Sequence, residues 1–181
     1  MRLIEKGVDV NSRDALGSTP LHAAESPTMA LLLLESGANP NAVNDSGITP
    51  LYAAAKRSDL RLATMLLEHG ADSNWNENGM LALFEAATLE MAEALVNHGA
   101  DVNVTNEQGL TPLHMAVARC RMDVARFLLE QGAEVNACEK SGGNTALHFA
   151  MSLANPDMAE MLIGHGAHVD SLNKLGMTPL H

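Results

Sequence analysis

The chain has 181 residues, 46% of them hydrophobic but only 3% aromatic, which suits thin helices packed closely and not a thick core around a ligand cavity. Its 11 basic and 22 acidic residues give a formal charge of −11, a field that repels phosphate backbones, excludes nucleic acid as a partner and favours proteins with basic patches. Two cysteines are too few for a disulfide-built secreted scaffold, and no apolar stretch approaches the ~20 residues that cross a bilayer.

The opening residues Met1 to Lys6 lack the apolar run of a signal peptide. With free thiols expected at Cys120 and Cys138 and no membrane partner, the setting reads as intracellular and cytoplasmic, or nuclear.

Residues 1–13 read as the tail of a helix ending at Gly7 and a turn segment through Asn11. Residues 14–43, unit one, carry the phrase Gly17-Ser18-Thr19-Pro20-Leu21-His22. Thr19 stands where a helix N-cap belongs. Pro20 stands at the first helical position, where its missing N–H costs nothing. A second helix starts at Ser26-Pro27, runs through the apolar Met29 to Leu34, and stops at Gly37 as a left-handed C-terminal cap. Unit two, residues 44–75, repeats the scheme from Thr49-Pro50-Leu51-Tyr52 to Gly70.

Unit three, residues 76–105, is degenerate: Leu81-Ala82-Leu83-Phe84 replaces the phrase, and Thr88 caps its second helix. A lost Thr cap costs ~1 kcal/mol, so this unit is expected to be the weakest. Unit four, residues 106–139, is the clearest. A turn at Gly109 leads to a first helix from Thr111-Pro112, a break at Arg119-Cys120-Arg121, and a second helix over 122–131 before Gly132. Its apolar face carries Val124, Ala125, Leu128 and Leu129. Unit five, residues 140–172, runs from Thr145-Ala146-Leu147-His148 through Asn155-Pro156 to Gly166, and residues 173–181 begin another first helix. From the Thr position to the capping Gly is 18 residues in units one and three and 21 in the others. Three residues are thus missing between the two helices of the short units.

The phrase Gly-x-Thr-Pro-Leu-His, recurring every 30 to 34 residues in six full or weakened copies, resembles the ankyrin repeat. The resemblance implies an all-α solenoid of stacked antiparallel helix pairs with short β-hairpin-like fingers. Five complete units flanked by two fragments suggest a piece of a longer array, monomeric, with its uncapped ends open to end-to-end association. The resemblance also implies a non-catalytic protein-binding adaptor or scaffold. The other reading is the regulatory or targeting segment of a larger enzyme or channel.

In the resembled family, partners meet the fingertips and the inner face of the first helices. Carried onto this sequence, that face includes Asp45, Lys56 and Arg57 of unit two, Glu77 and Met80 of unit three, and Glu107, Leu110 and Arg119 of unit four. Trp75, the sole tryptophan, lies in the finger leading out of unit two and is either a binding anchor or packing for the finger stack. The fingertips lean acidic, while Lys56, Arg57, Arg119 and Arg121 place positive charge at the far end of the first helices.

The resemblance gives His22, His114, His148 and His181 the task of tying neighbouring turns together. His69, His98 and His165 precede capping glycines, where cations suit a helix C-terminus. No Cys-x-x-Cys or His-Glu-x-x-His spacing, phosphate loop or nucleophile elbow occurs, so no catalytic residue, metal or cofactor is expected. Glu85, Glu90 and Glu93 read as a solvated helix face. Met91, Met122, Met158 and Met161 read as core filler, with Met29 beside them. Asn11, Asn103 and Asn136, each with Leu eight residues before, resemble the target pattern of an asparaginyl hydroxylase that acts on such repeats.

Overall fold

The computed structural model describes residues 9–75 and 81–181, and among them nine α-helices. The first helices of successive units are α2 (Pro50–Lys56), α4 (Ala82–Glu85), α6 (Pro112–Ala118) and α8 (Ala146–Ser152). The second helices are α1 (Pro27–Glu35), α3 (Leu60–Glu68), α5 (Leu89–Asn97), α7 (Met122–Glu130) and α9 (Pro156–Gly164). First helices pack in sequence, α2 on α4, α4 on α6 and α6 on α8; second helices do the same from α1 through α3 and α5 to α7. No described helix is long and apolar enough to cross a membrane.

The helices start and stop where local chemistry directs. Thr49 caps α2 by accepting the N–H of Tyr52, and Thr111 with His114 forms a capping box on α6, each with Pro at the first position. Asp59, Thr88 and Asn155 cap α3, α5 and α9. Ser26 sits at the N-cap of α1, but its side chain makes no capping bond. At the other end, Gly37, Gly70, Gly99, Gly132 and Gly166 all have φ of 85 to 90°. This lets the following Ala N–H turn back to the carbonyls of Leu33, Leu66, Leu95, Leu128 and Leu162 at 2.9–3.0 Å. Helix α7 ends at Glu130, with Gln131 as its cap, one residue short of expectation.

The core is a row of leucines and alanines, not one central mass. Leu21, Leu51, Leu113 and Leu147 from the repeated phrase are buried, as are Leu66, Leu95, Leu128 and Leu162 from the second helices. Ala30, Ala63, Ala92, Ala125 and Ala159 let neighbouring helices approach closely. Met91, Met158 and Met161 are buried as expected, Met122 is half-buried, and Met29 is exposed.

The three-residue deletions fall differently from expectation. In units two, four and five, a seven-residue first helix is followed by a connector with a left-handed residue, Ser58 (φ 56°), Cys120 (φ 54°) or Ala154 (φ 50°). The short units lack that connector and the last turn of the first helix as well. In unit three, α4 is four residues long. In unit one, Pro20 to Ala23 make a turn instead of a helix, with His22 N–H on the Thr19 carbonyl and Ala24 N–H on that of Leu21. Removing three residues from so short a helix leaves too few i→i−4 bonds to sustain it.

Candidate recognition face

Two ladders hold the units in register. Asn11, Asn41, Asn74, Asn103 and Asn136 each donate Nδ2–H to the capping-glycine carbonyl of the next unit, and each accepts on Oδ1 a backbone N–H two residues beyond that glycine. All ten bonds measure 2.7–3.1 Å. A carboxamide offers donor and acceptor together, which Asp170 at the sixth position cannot.

The second ladder uses the histidines of the repeated phrase. His22, His114 and His148 accept on Nδ1 the N–H of Thr19, Thr111 and Thr145. The proton therefore sits on Nε2, which donates to the next finger's carbonyl, at Ile48 (2.9 Å), Asn144 (3.3 Å) and Met177 (3.1 Å). Burial depresses the His22 and His114 pKa values, and the carbonyl partners only partly offset it. His69, His98 and His165 bond through Nδ1 to the carbonyls four residues back, at 2.8 Å each. They add a second, side-chain bond at the helix end; the Met65 and Met161 carbonyls also accept the backbone N–H of His69 and His165.

On the inner face, unit two has Tyr52 where a bridging histidine belongs. Its hydroxyl faces Glu85; burial and then that carboxylate push the phenol pKa up. Lys56 lies over the Tyr52 ring, 5.9 Å from its centroid. Glu85 in turn holds Arg119 in a two-pronged ion pair with both contacts at 3.1 Å. Side chains of units two, three and four thus form one chain across the short unit.

The arginines also mend the deletions. Arg57 donates to the carbonyls of His22 and Ala24, Arg119 to that of Phe84, and Arg121 to that of Ala86. These carbonyls close the truncated first segments of units one and three. Arg57 and Arg119, read from sequence as contact positions, thus also bond neighbouring units while remaining exposed, as Lys56 is. Sequence reasoning passed over Glu85 as a solvated carboxylate. Its relation to Arg119, 34 residues away, shows only when repeats are aligned side by side.

The fingers supply the rest. Asp45 and Glu107 are exposed and Leu110 is half-buried. Asp45 pairs with Arg13 at 3.4 Å. Glu77 and Met80 lie outside the described residues. Trp75 is half-buried, and its indole N–H is buried with no hydrogen-bond partner among the described residues. In unit five Glu139 replaces the asparagine that organises other fingers, such as Asn44. Its longer side chain is matched by the extra residue in Ser141-Gly142-Gly143. Burial would raise its pKa, but bonds from Ser141 Oγ and from the N–H groups of Asn144, Ser141 and Gly142 outweigh that and hold it at about 2. An open apolar depression of about 570 Å³ lies by α9, lined by Met151, Pro156 and Ile163 among others. Among the described residues no group of three His, Cys, Asp or Glu is placed to hold a metal ion.

Family models agree with this geometry. Residues 23–106 match ankyrin repeats (3 copies), residues 95–150 match ankyrin repeats (many copies), and residues 142–174 match a single ankyrin repeat. The chain belongs to the ankyrin-repeat family. Its fold is similar to the crystal structure of the human ASB11 ankyrin repeat domain, with a TM-score of 0.89 and 30% identity over 98% of this chain and 82% of that one. It is similar too to the ankyrin repeat domain of Bcl-3, a member of the IkappaB protein family, with a TM-score of 0.86, 28% identity and coverage of 98% and 83%. Alpha-latrocrustotoxin-Lt1a of Latrodectus tredecimguttatus is 34% identical over 76 residues, which are 40% of this chain and 5% of the toxin's length. Ankyrin repeats are in general protein-interaction modules.

Proposed function

We propose that this ankyrin array is a non-catalytic adaptor or scaffold segment that works in the cytoplasm and binds a protein partner through its fingertips and inner first helices. The observation that carries the reading is the inner face of units two to four, where buried Tyr52 and half-buried Glu85 link the exposed Lys56 and Arg119 of neighbouring repeats into one row. Groups spread over neighbouring units suit a partner that spans them. Catalysis needs a walled, desolvated site, and a single-file row of helix pairs favours surface complementarity instead. The acidic balance favours a partner with basic patches over nucleic acid.

The test is affinity capture with the whole chain and with the variants Lys56→Glu and Tyr52→Phe. One protein should be retained by the parent and lost with the variants while circular dichroism stays unchanged. Equal retention by all three proteins would sink the assignment to this face.

A further inference from the structure

The deletion in unit three opens a notch between its neighbours. Its chain passes from Glu85 at the end of α4 through Ala86 and Ala87 straight to Thr88, the N-cap of α5. Units two and four on either side keep their connectors, with Ser58 and Cys120 at the left-handed position. On the unit-four side the notch is an open depression of about 530 Å³, lined by Ala87, Thr88, Leu89, Cys120, Arg121 and Met122 among others.

Charge is divided along this notch. Its inner end, beside the first helices, is basic. Lys56 is exposed at the end of α2, and Arg119 and Arg121 flank Cys120 just after α6. One carboxylate, Glu85, lies among these cations, and it is already held by Arg119 and faced by the Tyr52 hydroxyl. Neither Lys56 nor Arg121 has a carboxylate within ion-pair distance among the described residues. Arg121 gives one N–H to the Ala86 carbonyl at 2.8 Å, and a guanidinium has donors to spare. Burial and then the charge of Arg119 push the Arg121 pKa down, with Glu85 only partly offsetting them. A further carboxylate at this spot is therefore stabilising. The outer end is acidic. Glu90 and Asp123 line it from the first turns of α5 and α7, where helix N-termini favour acids.

From this we infer that the notch over unit three receives a protein segment carrying a carboxylate and, a few residues away, a cation. The carboxylate sits among Lys56, Arg119 and Arg121, and the cation meets Glu90 and Asp123. The inference rests on the protein-binding reading above and adds one acidic contact to a partner otherwise chosen for its basic patches. A segment with two carboxylates meets repulsion at Glu90 and Asp123, and one with two cations meets it at Arg121, so the mixed pair is preferred to either.

The chain carries its own reporter and control. Cys120 and Cys138 are both exposed free thiols, and of the two Cys120 lines the notch. The experiment is iodoacetamide alkylation of the whole chain at low salt, read at each thiol by mass spectrometry, with three synthetic twelve-residue peptides. The first has two glutamates and, further on, two lysines; the second has glutamines for the glutamates; the third has glutamates for the lysines. The mixed peptide should slow alkylation of Cys120 and leave Cys138 unchanged, and it should act at lower concentration than the other two. Lys56→Gln forfeits only the contact with the Tyr52 ring. It should raise the peptide concentration needed by roughly threefold, within the range of one exposed ion pair. Arg121→Lys, which keeps the charge, should respond as the parent does, and Arg121→Gln should not. Protection that is absent, equal with the glutamine or all-glutamate peptide, shared by Cys138, or unshifted in Lys56→Gln overturns the assignment. A partner captured through Tyr52 and Lys56 would still stand in that case, so the two readings fail separately.

Discussion

Units three and four sit side by side and solve the same folding problem with unequal means. Unit four carries the whole repeat phrase. Its Thr111 and His114 cap a seven-residue helix, and His114 reaches the next finger. Unit three has Leu81 at the cap without a side-chain bond, a four-residue helix, and Phe84 where the bridging histidine belongs. What it lacks in local bonding comes from unit four, whose Arg119 and Arg121 take the carbonyls of Phe84 and Ala86. A degenerate repeat can persist because stability in such arrays is shared with nearest neighbours. Their second helices, by contrast, are near equivalents, with Leu95 and Leu128 both fully buried.

The comparison can be broken at several strengths. The largest effects should come where the two units are alike. Leu95→Ala and Leu128→Ala should each cost about 2–5 kcal/mol in urea unfolding, since each opens a cavity in the shared core. A loss confined to Leu128→Ala would mean that unit three contributes little to the fold.

Next comes the borrowed bonding. Arg119→Ala/Arg121→Ala should cost about 1.5–3 kcal/mol, the range for hydrogen bonds from charged donors. Hydrogen exchange should quicken first at α4, with α8 little changed. Uniform change across the array would refute the idea that these arginines serve unit three. In the parent chain, α4 amides should already exchange ahead of those in α2 and α6, and equal protection would contradict the weakness assigned to that unit.

Thr111→Ala should cost about 1 kcal/mol, the usual value of an N-cap. Thr111→Ser, which keeps the capping hydroxyl, should retain most of that support, and an equal loss there would show that packing and not capping matters at this position. The smallest effects are those of pH. His22 and His114 have pKa values depressed in the fold, so the unfolded chain binds more protons near its ordinary value of 6.5. Stability is therefore complete above about pH 6.5 and declines as pH falls below it. His114→Gln should flatten part of that slope in melting curves taken between about pH 5 and 7.5. The Glu139 carboxyl, held at about 2 against an ordinary 4.5, gives support that is complete above about pH 4.5 and lost as pH falls toward 2. Glu139→Gln should remove that acid-range component alone.

The repeat, its period, the capping glycines and most helix starts were legible in the chain because each depends on residues within a few positions of one another. Thr111-Pro112 announces a helix and Gly132 ends one whatever lies beside them. The same local logic predicted a first helix in unit one, where the shortened segment retains only a turn. It also could not show that Arg57 and Arg119, expected at the contact face, bond carbonyls in the preceding unit. Glu85 was unreadable for the same reason.

The amino-acid order by itself thus determined the ankyrin architecture, since periodic apolar and turn residues act through short-range geometry. Tertiary structure alone decided which charges are paired within the array. That choice depends on what a long side chain meets one repeat away, over 30 residues distant in sequence and in direct contact in space. Arg119 meets Glu85 there, and Lys140 meets open solvent.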